Sequence, residues 1–202
     1  MLDRAPLSAR TSVKVALITF LVLTAISVGV QFTLPKSYVA VTRIEVTQTN
    51  QPQVAVDPYF IQNDFERIRS ERVLLHAVEQ LKQSPEAASF DKSWHTRMDD
   101  RARARSLLSR LDLRQSRNTS LIEIRFSDRN PVNAALIANT IARAYAAQLK
   151  AHNTPTEARI IDLAQPPTRA ASPNIPLLLA IATVLNAMLA VIAGIFASNL
   201  FR

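Results

Sequence analysis

The chain has no cysteine. It can form no disulfide and offers no thiolate to a metal. That is compatible with an oxidising compartment but does not require one. Glycine is nearly absent as well: among 202 residues there are only Gly29 and Gly194, both inside apolar runs. This excludes a glycine-rich loop that cradles phosphate. No serine sits in a G-x-S-x-G nucleophile turn. The three histidines, His76, His95 and His152, are scattered and lack metal-ligand spacing. Asp99 and Asp100 are adjacent, and nothing marks them as an acid/base pair rather than the first turn of a helix. The sequence therefore assigns no catalytic, cofactor-binding or metal-ligating residue. The expectation is a protein that is not an enzyme, needs no cofactor and has no nucleic-acid partner.

What is present is two long apolar runs, one toward each end. Residues 177–200 (LLLAIATVLNAMLAVIAGIFASNL) carry no charge. That exceeds the roughly 20 residues a helix needs to cross a bilayer core of about 30 Å. In lipid every backbone polar group must be bonded within the segment, so such a run is helical. Pro173 and Pro176 precede it, where a residue with fixed φ and no donor suits an approach or a first turn. Asn186, near the middle, is the candidate for a polar contact between helices; with one glycine in the run, a close glycine-paired contact is not expected. The first run, residues 15–34 (VALITFLVLTAISVGVQFTL), is longer than the about 7–15 apolar residues of a signal peptide, and no small-residue cleavage site follows. It reads as a retained span, with Phe32 and Tyr38 at an interfacial position.

Charge supplies an orientation. The formal net charge is +8, from 24 Lys and Arg against 16 Asp and Glu, and the segment 35–174 holds 20 of the basic and 15 of the acidic residues. Such a balance suits either a solvated surface or proximity to anionic lipid heads or an anionic polymer. Arg4, Arg10 and Lys14 precede the first run and Arg202 follows the second. Short basic segments stay cytoplasmic, and two spans put both ends on one side. The expected organisation is a cytoplasmic tail (1–14), a first span (15–34), a periplasmic α+β domain (35–174), a second span (175–200) and a cytoplasmic end (201–202).

Within the middle segment, residues 38–49 (YVAVTRIEVTQT) alternate as a half-buried strand, with Tyr38, Ala40, Thr42, Ile44 and Val46 on one face. Residues 50–56 read as a polar loop. Asp57-Pro58 offers a cap and first-turn proline for a helix to about Ile68, with Phe60, Ile61, Phe65 and Ile68 inward. Ser70 caps a second helix, 71–82, with Val73, Leu74, Val78 and Leu81 inward. Residues 84–93 read as a loop broken by Pro85. Residues 99–111 (DDRARARSLLSRL) form a basic helix with acidic residues in its first turn. Residues two apart point about 200° from each other on a helix, so its arginines make no single stripe. A solvated surface is the plainer reading. Arg101, Arg105 and Arg110 are the candidates for contact with a polyanion or glycan. Residues 111–116 and 121–127 read as strands, the second with Ile122, Ile124 and Phe126 on one face. Asp128 or Asn130 then caps a helix over 131–151 that Pro131 begins. Its small face, with Ala135, Ala138, Ile141 or Ala142, Tyr145 and Leu149, suits close packing on a sheet. Asn153-Thr154-Pro155 stops it, and residues 157–164 are the final strand.

An ordered set of stretches resembles the chain-length determinant (Wzz-type) proteins, also called polysaccharide co-polymerases. The first span is followed by Pro35 and Tyr38-Val-Ala-Val-Thr-Arg-Ile-Glu-Val46. Then come Ile68-x-Ser70-x-x-Val73-Leu74 and Thr119-Ser-Leu-Ile-Glu-Ile-Arg-Phe-Ser127-Asp128. Asn130-Pro131, Ala134-Ala135-x-Ile137-Ala138-Asn139 and Tyr145 follow. Ile160-Ile-Asp-Leu-Ala-Gln-Pro166, Pro173 and Pro176 then lead into the second span. The resemblance implies a membrane-proximal α+β domain whose sheet joins strands far apart in the chain. It implies a ring-like homo-oligomer in the bacterial inner membrane. It also implies partnership with a polymerase, glycosyltransferase or exporter of O-antigen, capsule or exopolysaccharide. Members usually carry a long helical excursion after the helix that corresponds to residues 131–151; this sequence has only residues 152–156 before the return strand, and no kinase domain follows. Two further readings stand beside the scaffold: an activator subunit for a separate cytoplasmic tyrosine kinase, which only residues 1–14 can contact, and an extracytoplasmic sensory module.

Overall fold

The computed structural model describes residues 5–48, 58–86, 90, 99–116, 119–152 and 154–200. These comprise six helices and one four-stranded sheet, a mixed α+β protein with an apolar helix near each end. The chain divides into two units, Ser37–Ala171 and the pair Met1–Lys36 with Ser172–Arg202. The expected loop at 50–56, the Asp57 cap, His95, Asn153 and Arg202 lie outside the described residues, as does the loop from Ala87 onward apart from Phe90.

In the Ser37–Ala171 unit, strand alternation does what it predicts. β1 (Tyr38–Gln48) buries Ala40, Thr42, Ile44 and Val46 and turns Arg43 and Thr47 outward. β3 (Leu121–Asp128) buries Ile122, Ile124 and Phe126 completely. With β2 (Leu111–Gln115) and β4 (Thr156–Asp162) they form an antiparallel sheet in the order β2-β3-β1-β4. β1 is therefore central. It pairs Tyr38 with Asp128 on one side and Ile44 with Ile160 on the other, with a register shift at Arg43/Ile44.

One sheet face is covered by α5 (Pro131–Ala151), which packs on β1, β3 and β4. Asn130 caps this helix by accepting from the Val132 amide at 2.9 Å. Asp128, the alternative cap, instead accepts the Asn130 amide at 2.9 Å. Buried Ala134, Ala135, Ala138, Ala142 and Ala144 let the helix backbone approach the sheet closely. α2 (Pro58–Arg69), α3 (Glu71–Gln83) and α4 (Asp100–Arg110) complete the layer: α3 packs on α5, and α4 on α3. Ser70 caps α3 as expected, accepting from the Val73 amide. The inward face of α3 is Val73, Leu74, Ala77, Val78 and Leu81. In α2, Ile61 and Ile68 are buried and Phe65 is half-buried, as the periodicity predicts; Asp64, on the same face, is also fully buried, which is unexpected for a carboxylate.

The other sheet face is charged. Arg114, Asp112, Arg125, Glu123, Arg43 and Asp162 follow one another in a run of ion pairs of 2.9–3.6 Å that crosses all four strands. Glu123 and then Asp162 hold Arg43 above its ordinary pKa. The pairs are largely solvent-screened, so this ladder keeps the face wet more than it stabilises the fold.

In the other unit, α1 (Ala5–Thr33) and α6 (Ile175–Leu200) pack on each other. Their segments Ser12–Thr33 and Ile175–Ala197 are long and apolar enough to cross a membrane. α1 begins ten residues before the expected span, so residues 5–14 are helical and continuous with it. Pro176 sits in the first turn of α6, where its missing donor costs nothing.

Candidate anion-binding groove

Arg101 and Arg105 are four residues apart on α4, so their side chains leave it on one side. Arg103, two residues from each, points elsewhere; its side chain is 14 % exposed and bonds Asp100 at 2.7 Å. Arg69, the last residue of α2, meets Arg101 and Arg105 around a groove of about 410 Å³ whose apolar lining is Leu74, Ala104 and Leu108. Glu71 supplies the one carboxylate in this lining, bonded to Arg101 Nε at 3.1 Å. Both partners of that pair are mostly exposed, so it contributes about 0–1 kcal/mol and exchanges readily for a ligand. Arg105 Nε donates to the Arg101 carbonyl oxygen at 3.4 Å, and Arg105 has no carboxylate partner among the described residues. Among the described residues the lining holds three guanidinium groups and one carboxylate, with Glu66 3.9 Å from Arg69 beside it; over an apolar floor this set can hold an oxyanion or an acidic sugar substituent.

Arg110 does not join them. Its Nη1 bonds Asp128 Oδ2 at 2.8 Å, away from the groove lining. The polyanion candidates therefore divide: Arg101 and Arg105 come together, Arg110 stays apart. Arg69 completes the groove from another helix, which spacing along α4 does not reveal. Asp100 accepts from Lys82 and Arg103, and these contacts, Lys82 first, hold its carboxyl below the usual range. It is an ion-pair acceptor beside α4.

A second cleft, of about 570 Å³, opens between the α2–α3 corner and the end of α5. Arg67, Ser70, Arg72, Tyr145, Gln148 and His152 line it. Behind it lies Asp64, whose Oδ1 accepts from Arg67 Nη1 at 3.4 Å. Asp64 Oδ2 and the Tyr145 hydroxyl are both buried and make no close hydrogen bond among the described residues, but they face each other as a weak donor–acceptor pair that shifts both groups. Burial raises the Asp64 pKa; Tyr145 and Arg67 oppose this. Burial, reinforced by the Asp64 charge, keeps the Tyr145 phenol neutral far above its ordinary range.

Asn139 ties three segments together. Its Oδ1 accepts from Thr42 Oγ1 at 2.7 Å and from the Ala164 amide at 2.8 Å, and its Nδ2 donates to the Ala164 carbonyl oxygen at 3.0 Å. Thus α5 holds both the central strand and the chain beyond β4.

Asn186 makes the contact expected of it: Nδ2 donates to Ser27 Oγ on α1 at 3.1 Å. As expected, no glycine-paired contact forms: a side chain at Gly29 would meet nothing within 4 Å. A side chain at Gly194 would meet Ala16 Cβ and the Ser12 carbonyl oxygen at 3.1 Å, so α1 and α6 do approach closely there, glycine against small residues rather than glycine against glycine.

Among the described residues no group of three or more His, Cys, Asp or Glu side chains is placed to hold a metal ion. His76 contacts Gln80 and His152 contacts Arg72, each a separate local bond. No family model matches the chain, and no curated protein matches it.

Proposed function

We propose that the protein is a two-pass inner-membrane scaffold of the polysaccharide co-polymerase kind. It takes part in synthesis, chain-length control or export of a surface polysaccharide such as O-antigen, capsule or exopolysaccharide. The observation that carries the reading is the topology. Only residues 34–37 separate α1 from β1, and β1 is the central strand, paired with β3 and β4, which lie far along the chain. The segment after β4 returns to a second apolar helix, α6. The resemblance to the co-polymerases implies this arrangement, in which a sheet is closed by distant strands between two terminal helices. The exposed side chains of the two helices add support. Leu17, Leu21, Ile26, Leu185, Leu189 and Phe196 face outward, a surface that suits lipid and not water. In this reading both ends are cytoplasmic, the sheet domain is periplasmic, copies assemble into a ring, and a polymerase, glycosyltransferase or exporter is the partner. The Arg69–Arg101–Arg105 groove is then the place where an acidic glycan touches the scaffold.

Deletion of the gene in its own host, followed by gel sizing of surface and secreted polysaccharide, tests the reading. A lost or shifted length distribution at normal growth is expected. Unchanged amount and length removes the proposal and leaves the kinase-partner and sensory readings.

A further inference from the structure

The cleft between the α2–α3 corner and the end of α5 has no place in the scaffold reading. Its chemistry is one-sided. Arg72 Nη1 lies 3.0 Å from His152 Nε2, and His152 Nδ1 lies 3.0 Å from the Gln148 carbonyl oxygen. Arginine has no acceptor, so His152 Nε2 must accept and the ring proton sits on Nδ1, pointing at Gln148. Arg72 is therefore held in place by a ring nitrogen and not by a carboxylate. No carboxylate among the described residues cancels its charge. Gln148 Nε2, at 3.5 Å from the Arg72 carbonyl oxygen, steadies the same corner.

Three further features converge there. Arg67 is half exposed, and its only acidic partner among the described residues is buried Asp64, which does not line the cleft. The 13-residue helix α3 begins at Ser70 in the cleft wall. Its first amides have no acceptor within the helix and Ser70 Oγ takes only that of Val73, so the positive end of the helix faces the opening. Tyr145 lines the cleft, is 1 % exposed, and carries a buried hydroxyl that makes no close hydrogen bond among the described residues, with Asp64 its nearest acidic neighbour. Glu66 is the one acidic residue in the lining, and it is exposed and lies 3.9 Å from Arg69, outside this cleft.

We propose that this cleft binds an oxyanion, a phosphate or a carboxylate. Arg67 and Arg72 supply the charge, the start of α3 supplies amides, and the Tyr145 hydroxyl donates the inner hydrogen bond. The site is separate from the Arg69–Arg101–Arg105 groove and does not depend on the polysaccharide reading.

The test uses the full chain in lipid nanodiscs and calorimetric titration with inorganic phosphate, glucuronate and, as a neutral control, glucose. Phosphate or glucuronate is expected to bind and glucose not. Arg72→Gln is expected to weaken binding by roughly tenfold, as loss of one charge-assisted contact does, and Arg105→Gln to leave it unchanged. Tyr145→Phe is expected to weaken it by a few fold, and Asp64→Asn, which leaves the hydroxyl in place, is expected to weaken it less. Nanodiscs with anionic lipid identify the source: weaker phosphate binding there means that lipid phosphates fill the cleft, and equal binding means a free solute does. No anion binding in either disc, or binding insensitive to Arg72→Gln and Tyr145→Phe, overturns the proposal. Binding abolished by Arg105→Gln alone also overturns it, because the anion then sits in the other groove.

Discussion

Replacing Asn139 with alanine is expected to unfasten the sheet domain. The wild-type amide makes three hydrogen bonds, to Thr42 Oγ1 and to both the amide and the carbonyl of Ala164. Each contributes about 1 kcal/mol net. Thr42 is fully buried and Ala164 nearly so, so water does not replace the lost partner easily. Leaving a buried polar group unpaired adds about 1 kcal/mol or more. The expected loss is about 3–4 kcal/mol, a fall in Tm of roughly 10–15 °C for a domain of this size. Thr42→Val removes only one donor and is expected to cost about 1 kcal/mol. Asn139→Asp keeps the acceptor but not the Nδ2 donor and falls between. Thermal unfolding of the purified full chain, followed by circular dichroism, reads all three. An Asn139→Ala loss below about 1 kcal/mol, or one equal to that of Thr42→Val, refutes the reasoning that this side chain links β1, α5 and the chain after β4.

Asp64 has a folded pKa raised above 3.8, so the proton it holds in the fold contributes stability below that value that is lost as pH rises through the folded pKa. Asp64→Asn cannot lose it, so the Tm of the variant relative to wild type is expected to climb as pH is raised from about 4 toward neutrality; a pH-independent difference contradicts the burial argument. Asn186→Leu removes the bond to Ser27 and is expected to weaken the α1–α6 pair by about 1 kcal/mol in lipid, read by unfolding in SDS. Arg101→Ala with Arg105→Ala is expected to reduce binding of an acidic oligosaccharide in a pull-down, while Arg110→Ala, whose partner is Asp128, leaves it unchanged.

The parts legible in the sequence are those set by local pattern. Strand alternation places Ile44, Val46, Ile122, Ile124 and Phe126 inward, Ser70 and Asn130 announce helix starts, and apolar length marks α1 and α6. What stays hidden depends on distant partners. Nothing in the alternation of β1 says that it pairs with both β3 and β4. Asp64 falls on the inward face of α2, three residues after Ile61 and four before Ile68, but a carboxylate there reads as a polar break, so its burial becomes visible only when α5 brings Tyr145 beside it. The α4 arginines are evident as a basic run. Which of them converge depends on Arg69 arriving from α2 and on Asp128 drawing Arg110 away. Asn139 reads as one polar residue on an alanine-rich helix, and its three bonds require β1 and the segment after β4 to be in place.

The account rests on α1 and α6 crossing one membrane with the sheet domain outside. The absence of cysteine makes this directly measurable, since any single introduced thiol is the only one present. Cells carrying Glu157→Cys on exposed β4, or Ser8→Cys near the start of α1, are treated with a membrane-impermeant maleimide before and after lysis. The account predicts that Glu157→Cys labels in intact cells with a permeabilised outer membrane, and that Ser8→Cys labels only after the inner membrane is broken. Labelling of Ser8→Cys in intact cells, or protection of Glu157→Cys until lysis, contradicts it.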